Sequence, residues 1–402
     1  MEKLSDYVLK TLADAGASDV FLVPGGAAMH LNDSLGKSAL LSFVSTFHEN
    51  AAATAAEAYS KLKNGLGVAM VTGGPGSTNA LTGVTSAWVN SAPLVILSGQ
   101  VKSSDLNPGG LRQSGLQEVN IENIVQPVTK YAVTVRNASD IRFHLEKAIY
   151  LAKAGRPGPV WLDIPMDIQG AMIEPDKLRP FEVPMEDAPD DLADDEIEAI
   201  VQRWMLAKRP VILAGVGVRL AGGEARLLEL IERSGTPVQL TWIGIDLVSS
   251  DHPLYAGRPG AFASRAANFA IQNADFVLCI GARLDFATTG FSRERFAREA
   301  YRIAVDCDAA EIDKLGKNVD VGLVADAAQF IDGLLTKMPA VGGPDFGNWI
   351  SKIKGWETRY PIVTDEMRNL KYKVSTYALI EKLGELLEPE DVIVEGSAGV
   401  HS

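Results

Sequence analysis

From residue 1 to 172, short apolar runs alternate with helical stretches, and a turn rich in glycine or charge stands directly after most of the runs. Asp19–Val23, Leu41–Thr46, Gly67–Val71, Pro93–Ser98 and Val160–Ile164 read as strands, while Lys3–Ala15, Glu49–Leu62 and Ala80–Val89 read as helices. Such alternation implies a doubly wound parallel sheet, whose ligands sit beyond the carboxyl ends of the strands. Pro24-Gly25-Gly26, the acid Glu49 and Gly73-Gly74-Pro75-Gly76 all follow strands, so they are expected at one edge of the sheet.

Glu49 opens an alanine-rich helix in the stretch Phe47-His48-Glu49-Asn50-Ala51-Ala52. Small residues at Ala51, Ala52, Ala55 and Ala56 let that helix pack closely on a neighbour and leave Glu49 few polar companions. A carboxyl group withdrawn from water in this way can hold or pass a proton near neutral pH. An acid at a helix start also suits the positive end of the dipole, so capping is the alternative reading. His48 reads as a helix-start residue rather than a base, and Glu57 as the ion-pair partner of Lys61 one turn away.

Residues 171–190 are acidic and proline-rich, which suits an exposed linker. A second α/β pattern follows, with strands at Pro210–Ala214, Val238–Leu240, Ala274–Ile280 and Arg302–Val305 and a helix at Glu224–Ser234. Its strands end in Gly215-Val216-Gly217, Gly281-Ala282-Arg283 and Asp306-Cys307-Asp308. The helix Ser375–Leu387 and a strand Asp391–Val394 close the sequence at Ser402. One helix and one strand cannot bury a core, so this end reads as the start of a third, truncated domain. The expected organisation is therefore α/β throughout. A doubly wound domain spans 1–172, a Rossmann-like central domain 190–338, a linker 339–373, and the beginning of a third α/β domain 374–402.

A formal charge of -13 over 402 residues argues against a broad nucleic-acid surface, which needs clustered Lys and Arg. No apolar run reaches the length of a membrane span, and residues 1–20 read as an amphipathic helix, not a signal peptide. Cys279 and Cys307 are expected as buried, reduced thiols, which places the protein in the cytoplasm. No group of His, Cys and carboxylates has metal spacing, so no metal ligand is assigned. Gly215-x-Gly217 has Leu220 where a dinucleotide fingerprint needs its third glycine, which leaves a nicotinamide enzyme as a weak rival. Ser77 lies outside a nucleophile elbow.

Taken in order, the motifs are more specific than any one of them. Pro24-Gly25-Gly26, Phe47-His48-Glu49-Asn50-Ala51-Ala52, Thr72-Gly73-Gly74-Pro75-Gly76-Ser77-Thr78-Asn79, Leu116-Gln117-Glu118, Thr129-Lys130-Tyr131 and Gly155-Arg156-Pro157-Gly158-Pro159 through Pro165 form one series. It continues through Gly281-Ala282-Arg283-Leu284-Asp285 and Asp306-Cys307-Asp308. This series resembles the thiamine-diphosphate enzymes of the acetolactate synthase type over essentially the whole chain.

The resemblance implies a pyrimidine-binding domain, a central domain and a diphosphate-binding domain. It implies that Glu49 bonds a ring nitrogen of the cofactor aminopyrimidine and so activates a C2 ylid, which attacks pyruvate or a related 2-keto acid. Gly25, Pro75, Gly76 and Asn79 match positions lining the aminopyrimidine pocket, and Gln117 matches a glutamine of the active-site cavity. Lys130 matches a recurrent lysine for which a solvated or ion-paired role is equally open. The family holds Mg²⁺ and the diphosphate with a Gly-Asp-Gly…Asn motif in the third domain, and no Gly-Asp-Gly occurs here. In its flavin-binding members FAD meets the positions of Gly215, Gly217, Thr241, Gly281, Arg283, Asp306 and Asp308. Gly257-Arg258-Pro259-Gly260 departs from the usual flavin segment, Lys102–Gly110 does not align with the arginine-bearing loop, and an exposed Arg283–Asp285 pair is the bland alternative. The expected assembly is a homodimer or homotetramer with the active site between subunits. Alternatives are a relative using an aldehyde or keto-sugar acceptor, or a non-catalytic assembly subunit.

Overall fold

All five apolar runs of the first segment form strands in the computed structural model, which describes residues 1–184, 192–339, 343–388 and 390–394. The chain divides into two units, Met1–Glu186 and Asp187–Ser402.

In the first unit the strands are β1 (Glu2–Lys3), β2 (Asp19–Leu22), β3 (Ser42–Ser45), β4 (Gly67–Val71), β5 (Leu94–Gln100), β6 (Tyr131–Thr134), β7 (Pro159–Pro165) and β8 (Met172–Ile173). Six of them form a sheet in the order β3-β2-β4-β5-β7-β6, every pairing parallel, while β1 and β8 make a short antiparallel ribbon. Side chains alternate across the sheet and build a core on each face. Val68, Met70, Val95, Leu97 and Leu162 meet the helices Leu4–Asp14, Met29–Lys37 and Ile141–Lys153 on one face. Ala69, Val71, Leu94, Ile96 and Trp161 meet Glu49–Lys63 and Leu81–Val89 on the other. The edge strand β6 was not among the expected strands; its residues are mostly half-buried, so its apolar signal is weak.

The helix after β3 packs as its alanines suggest, but through Ala52, Ala53 and Ala56, with Ala51 exposed and Ala55 half-buried. A Cβ on Gly83 of the neighbouring helix would stand 2.6 Å from the Ala53 Cβ, and one on Gly67 would stand 2.2 Å from the Ala56 carbonyl oxygen. Glu57 pairs with Lys61 at 3.3 Å, as expected, and also accepts a bond from Asn90 at 2.8 Å. Lys130 is anchored, its Nζ donating to the carbonyls of Ala154 (2.5 Å) and Arg156 (2.8 Å). Of the acidic linker segment, 185–191 lie outside the described residues. Just before them the Phe181 amide donates to Glu146 at 2.7 Å and its ring packs on Phe143 and Tyr150.

The second unit contains β9 (Pro210–Ala214), β10 (Val238–Leu240), β11 (Phe276–Ile280), β12 (Tyr301–Asp306) and β13 (Val321–Val324) in the parallel order β10-β9-β11-β12-β13. Ile212, Leu278 and Ile303 face Trp204 and Phe330, and Trp204 stacks on Phe276 with ring centroids 5.9 Å apart. Val211, Val277 and Cys279 face Ala270 and Trp349 on the other side, where the Trp349 indole donates to the Pro210 carbonyl at 3.1 Å.

Two sequence expectations are corrected here. Cys279 is buried, and burial pushes its thiol up to about 12, but Cys307 is exposed because it lies in the turn past the end of β12. The helix near the C-terminus forms at Thr376–Leu386, whereas Asp391–Val394 makes no strand pairing among the described residues and its valines are exposed. Apolar content alone does not make a strand without a neighbour to bond. Among the described residues no helix is long and apolar enough to cross a membrane.

Candidate active site

The first sheet reverses its strand order between β2 and β4, since β3 lies outside β2 while β4 and β5 continue on the other side. Ligands of open parallel sheets bind at such a switch point, beyond the carboxyl ends of the strands. Gly25 follows β2, Glu49 follows β3, and Thr72-Gly73-Gly74 follow β4. Three turns therefore converge at one place.

Their convergence demands missing side chains. A Cβ on Gly25 would stand 2.4 Å from the Thr72 Cβ, and one on Gly76 would stand 2.6 Å from the Thr72 Cγ2. Gly99, inside β5 next to its end, approaches the Ala27 carbonyl oxygen so closely that a Cβ would lie at 2.2 Å. Thr72, to which the sequence pattern assigns no separate role, is the hub: its Oγ1 accepts the Ala27 amide at 3.2 Å and its carbonyl accepts the Ser77 hydroxyl at 2.7 Å. Asn32 donates to the Gly25 carbonyl at 3.2 Å.

Glu49 is the first residue of its helix, and His48 caps that helix through its Nδ1, which accepts the Asn50 amide at 3.1 Å. His48 is thereby occupied as a cap, in line with its reading as a helix-start residue. Glu49 is only 9% exposed, and Asn79 donates to its Oε2 at 3.0 Å. Its Oε1 faces Gly76, where a Cβ would stand 3.3 Å away. The arrangement sets one carboxylate oxygen against a side-chain-free turn while Asn79 holds the other. Gly25, Gly76 and Asn79 thus stand together with Glu49, while Pro75 is exposed at the start of the short helix Pro75–Asn79.

Gln117 reaches the same turn from the loop between β5 and the helix Ile121–Val125. Gly74 takes a φ of +64°, and a Cβ there would lie 2.3 Å from the Gln117 carbonyl oxygen. Gln117 itself adopts a φ of +57°, unusual for a residue with a side chain, and is exposed. The neighbouring Glu118 organises the loop, accepting the amides of Asn107 (2.5 Å), Ser114 (2.8 Å) and Gly115 (3.0 Å). Burial would raise its carboxyl, but these three backbone bonds outweigh it and hold the group below the usual range.

Behind the loop lies a buried network that the sequence pattern did not disclose. Asp163 of β7 is fully buried and accepts bonds from Ser98 (2.6 Å), Gln100 (3.0 Å) and Thr134 (3.2 Å). Burial pushes its carboxyl up to about 7 against the pull of these donors. The only signal available was a charged residue inside the apolar run Val160–Ile164.

The second unit has a corresponding switch point between β9 and β11. Gly215, Gly217 and Gly281 meet there. The Gly217 amide donates to the Gly281 carbonyl at 3.1 Å, and a Cβ on Gly215 would stand 2.2 Å from that same oxygen. Thr241 follows β10, and Arg283 lies just past β11 with its Nε 3.5 Å from Glu311. Asp285, the partner of Arg283 in the bland alternative, accepts the Thr288 amide of its own turn at 2.8 Å. Asp306 accepts the Asp308 amide and Asp308 caps the helix Ala309–Leu315, each at 3.0 Å. Among the described residues no cluster of three or more His, Cys, Asp or Glu could hold a metal ion.

Comparison with known proteins identifies both domains. Residues 2–124 match the thiamine pyrophosphate enzyme N-terminal TPP binding domain, and residues 197–334 match the central domain of the same enzymes. The acetolactate synthase large subunit of Corynebacterium glutamicum is 34% identical over 396 residues, covering 96% of this chain and 58% of that protein. The large subunit of Lactococcus lactis is 30% identical, covering 97% of this chain and 66% of its own length. The acetolactate synthase isozyme 3 large subunit of Escherichia coli is 31% identical over 409 residues, covering 100% and 69%. The chain thus spans between 58% and 69% of these curated relatives. With its two matched domains and its side-chain-free cradle beside a buried glutamate, the chain belongs to the thiamine pyrophosphate enzymes of the acetolactate synthase type.

Proposed function

We propose that the protein is a carboligase or decarboxylase acting on pyruvate or a related 2-keto acid, with Glu49 as its proton-handling residue. The observation that carries this reading is the pinned, nearly buried Glu49 with Oε1 turned to the bare Gly76. Thiamine diphosphate, when bound, supplies a carbon nucleophile for a keto-acid carbonyl. Gly25 and Gly76 let the turns close on Thr72 beside Glu49, where the aminopyrimidine would sit with Pro75 and Asn79 at the rim. Asn79 keeps one carboxylate oxygen of Glu49 engaged, so the other is the one that shares a proton with a ring nitrogen. Burial keeps water from competing for that proton. Gln117, on the loop against Gly74, contacts the substrate carboxylate or carbonyl.

Glu49→Gln should lower turnover of pyruvate by roughly 100-fold or more, the usual scale for removing an acid–base group. Deuterium exchange at the reactive carbon of bound thiamine diphosphate reads the same loss directly. Near-normal exchange in the variant would refute the assignment. The family's Gly-Asp-Gly motif for Mg²⁺ and the diphosphate does not occur in this sequence, so cofactor binding is titrated alongside turnover. In the second unit, Gly215, Gly217, Thr241, Gly281 and Arg283, with Asp306 and Asp308 at the neighbouring turn, are the residues that would hold FAD at the β9/β11 crevice. A flavin absorbance spectrum of the purified protein tests that part separately. The active site is completed between subunits of a homodimer or homotetramer, which analytical ultracentrifugation reads.

A further inference from the structure

The loop carrying Gln117 leaves the sheet at Gln100, the last residue of β5, and Gln100 is nearly buried. Every polar atom of its side chain is used. Its Nε2 donates both to Asp163 Oδ2 (3.0 Å) and to the Val119 carbonyl (3.1 Å), while its Oε1 accepts the Val101 amide at 3.0 Å. Gln100 therefore clasps both ends of the loop, at Val101 and at Val119, and Asp163 is the fixed post to which the clasp is tied.

Asp163 is itself held from three sides. Ser98 of β5 donates to Oδ1 at 2.6 Å and receives the Trp161 indole at 2.8 Å. Thr134 of β6 donates to Oδ2 at 3.2 Å, and its amide donates to Glu122, on the helix that follows the loop, at 3.0 Å. Near the start of the loop, Ser103 gives both its amide (2.8 Å) and its hydroxyl (2.5 Å) to Asp167. A buried carboxylate sitting in an apolar strand is expensive unless its bonds do something that an aliphatic residue could not. Here they orient the Gln100 amide, which no apolar residue could do.

We propose that Asp163 is a positioning residue: through Gln100 it fixes the loop that sets Gln117 against the Gly73-Gly74 turn. Fully buried, it exposes no surface to a ligand. The functional consequence for substrate binding rests on the reading of Gln117 given above, whereas the clasp itself does not.

The test is hydrogen exchange by mass spectrometry on the intact protein without cofactor, comparing wild type with Gln100→Met, Asp163→Asn and Asp163→Leu. Gln100→Met keeps the volume and removes the clasp. Amides of residues 105–119 should then exchange roughly tenfold faster, the scale of one lost hydrogen bond, with the thermal midpoint little changed. Asp163→Asn should stay near wild type, because its amide oxygen still accepts Gln100 and its nitrogen can donate to Ser98. Asp163→Leu should resemble Gln100→Met; should it fail to fold, Gln100→Met still decides. Unchanged loop exchange in Gln100→Met would overturn the proposal, as would wild-type loop exchange in a folded Asp163→Leu. Steady-state kinetics with thiamine diphosphate and Mg²⁺ supplied then separate the two readings. A raised KM for the keto acid with a smaller change in kcat ties the clasp to Gln117. Faster loop exchange with KM unmoved leaves the clasp in place and removes Gln117 from the substrate.

Discussion

At the scale of single residues, the site depends on two kinds of position: those with no side chain and those with a carboxyl group out of water. Gly76 belongs to the first kind. Its Cβ would press on the Thr72 methyl at 2.6 Å and approach Glu49 at 3.3 Å, so Gly76→Ala should weaken thiamine diphosphate binding. The loss should be on the order of tenfold or more by titration calorimetry, and Thr72→Ser should recover part of it by removing the methyl. Asp163 belongs to the second kind. Its folded value of about 7 exceeds the ordinary 3.8, so the native state binds the proton more tightly than the unfolded chain. The stability this gives is complete below the unfolded value and is lost as pH rises through about 7. Glu122, the nearby charge, acts in the same direction. Asp163→Asn should flatten urea-measured stability between about pH 4 and pH 7, removing a slope worth at most about 4 kcal/mol. An unchanged pH profile would show that another group sets it.

At the scale of elements, the helix Glu49–Lys63 is held close to Leu81–Val89 by small residues on both. Gly83 is the tightest point, with the Ala53 Cβ 2.6 Å and the Thr54 amide nitrogen 2.7 Å from where its Cβ would be. Gly83→Ala should therefore push the helices apart and cost about 1–3 kcal/mol by chemical denaturation, although alanine is the better helix former. Because Glu49 begins the first of these helices, the same change should lower activity more than an equally destabilising change on the far face of the sheet. The sheet elements were the most legible part of the sequence. β4 and β5 are buried on both sides, so their apolar runs are continuous. β6 and β13 lie at edges, with half-exposed residues that weaken the pattern.

At the scale of the whole molecule, each unit has its own sheet with apolar cores on both faces. Segments 1–184 and 192–339, expressed separately, should each show a cooperative thermal transition. Failure of either to fold would mean that its core needs the rest of the chain. The first unit carries the buried Glu49 carboxylate and the second carries the crevice at β9/β11. Loss of flavin absorbance on Arg283→Ala, with Glu49-dependent carbon exchange retained, is the outcome expected if the two sites act separately.

The order of motifs along the chain determined the family, the parallel α/β architecture and the cradle residues, because turns that must follow strands carry glycines and acids in a fixed order. Glu49, Gly25 and Gly76 were legible as neighbours on that ground, and Asn79 only through the family resemblance. Only the tertiary structure decided what supports them. Thr72 becomes a hub because two glycines press on it, and Gln100 becomes a clasp because β5 and β7 pair in a register that sets Ser98 opposite Asp163. Those contacts join residues far apart in the chain. Register and close approach arise from packing, and no local pattern encodes them.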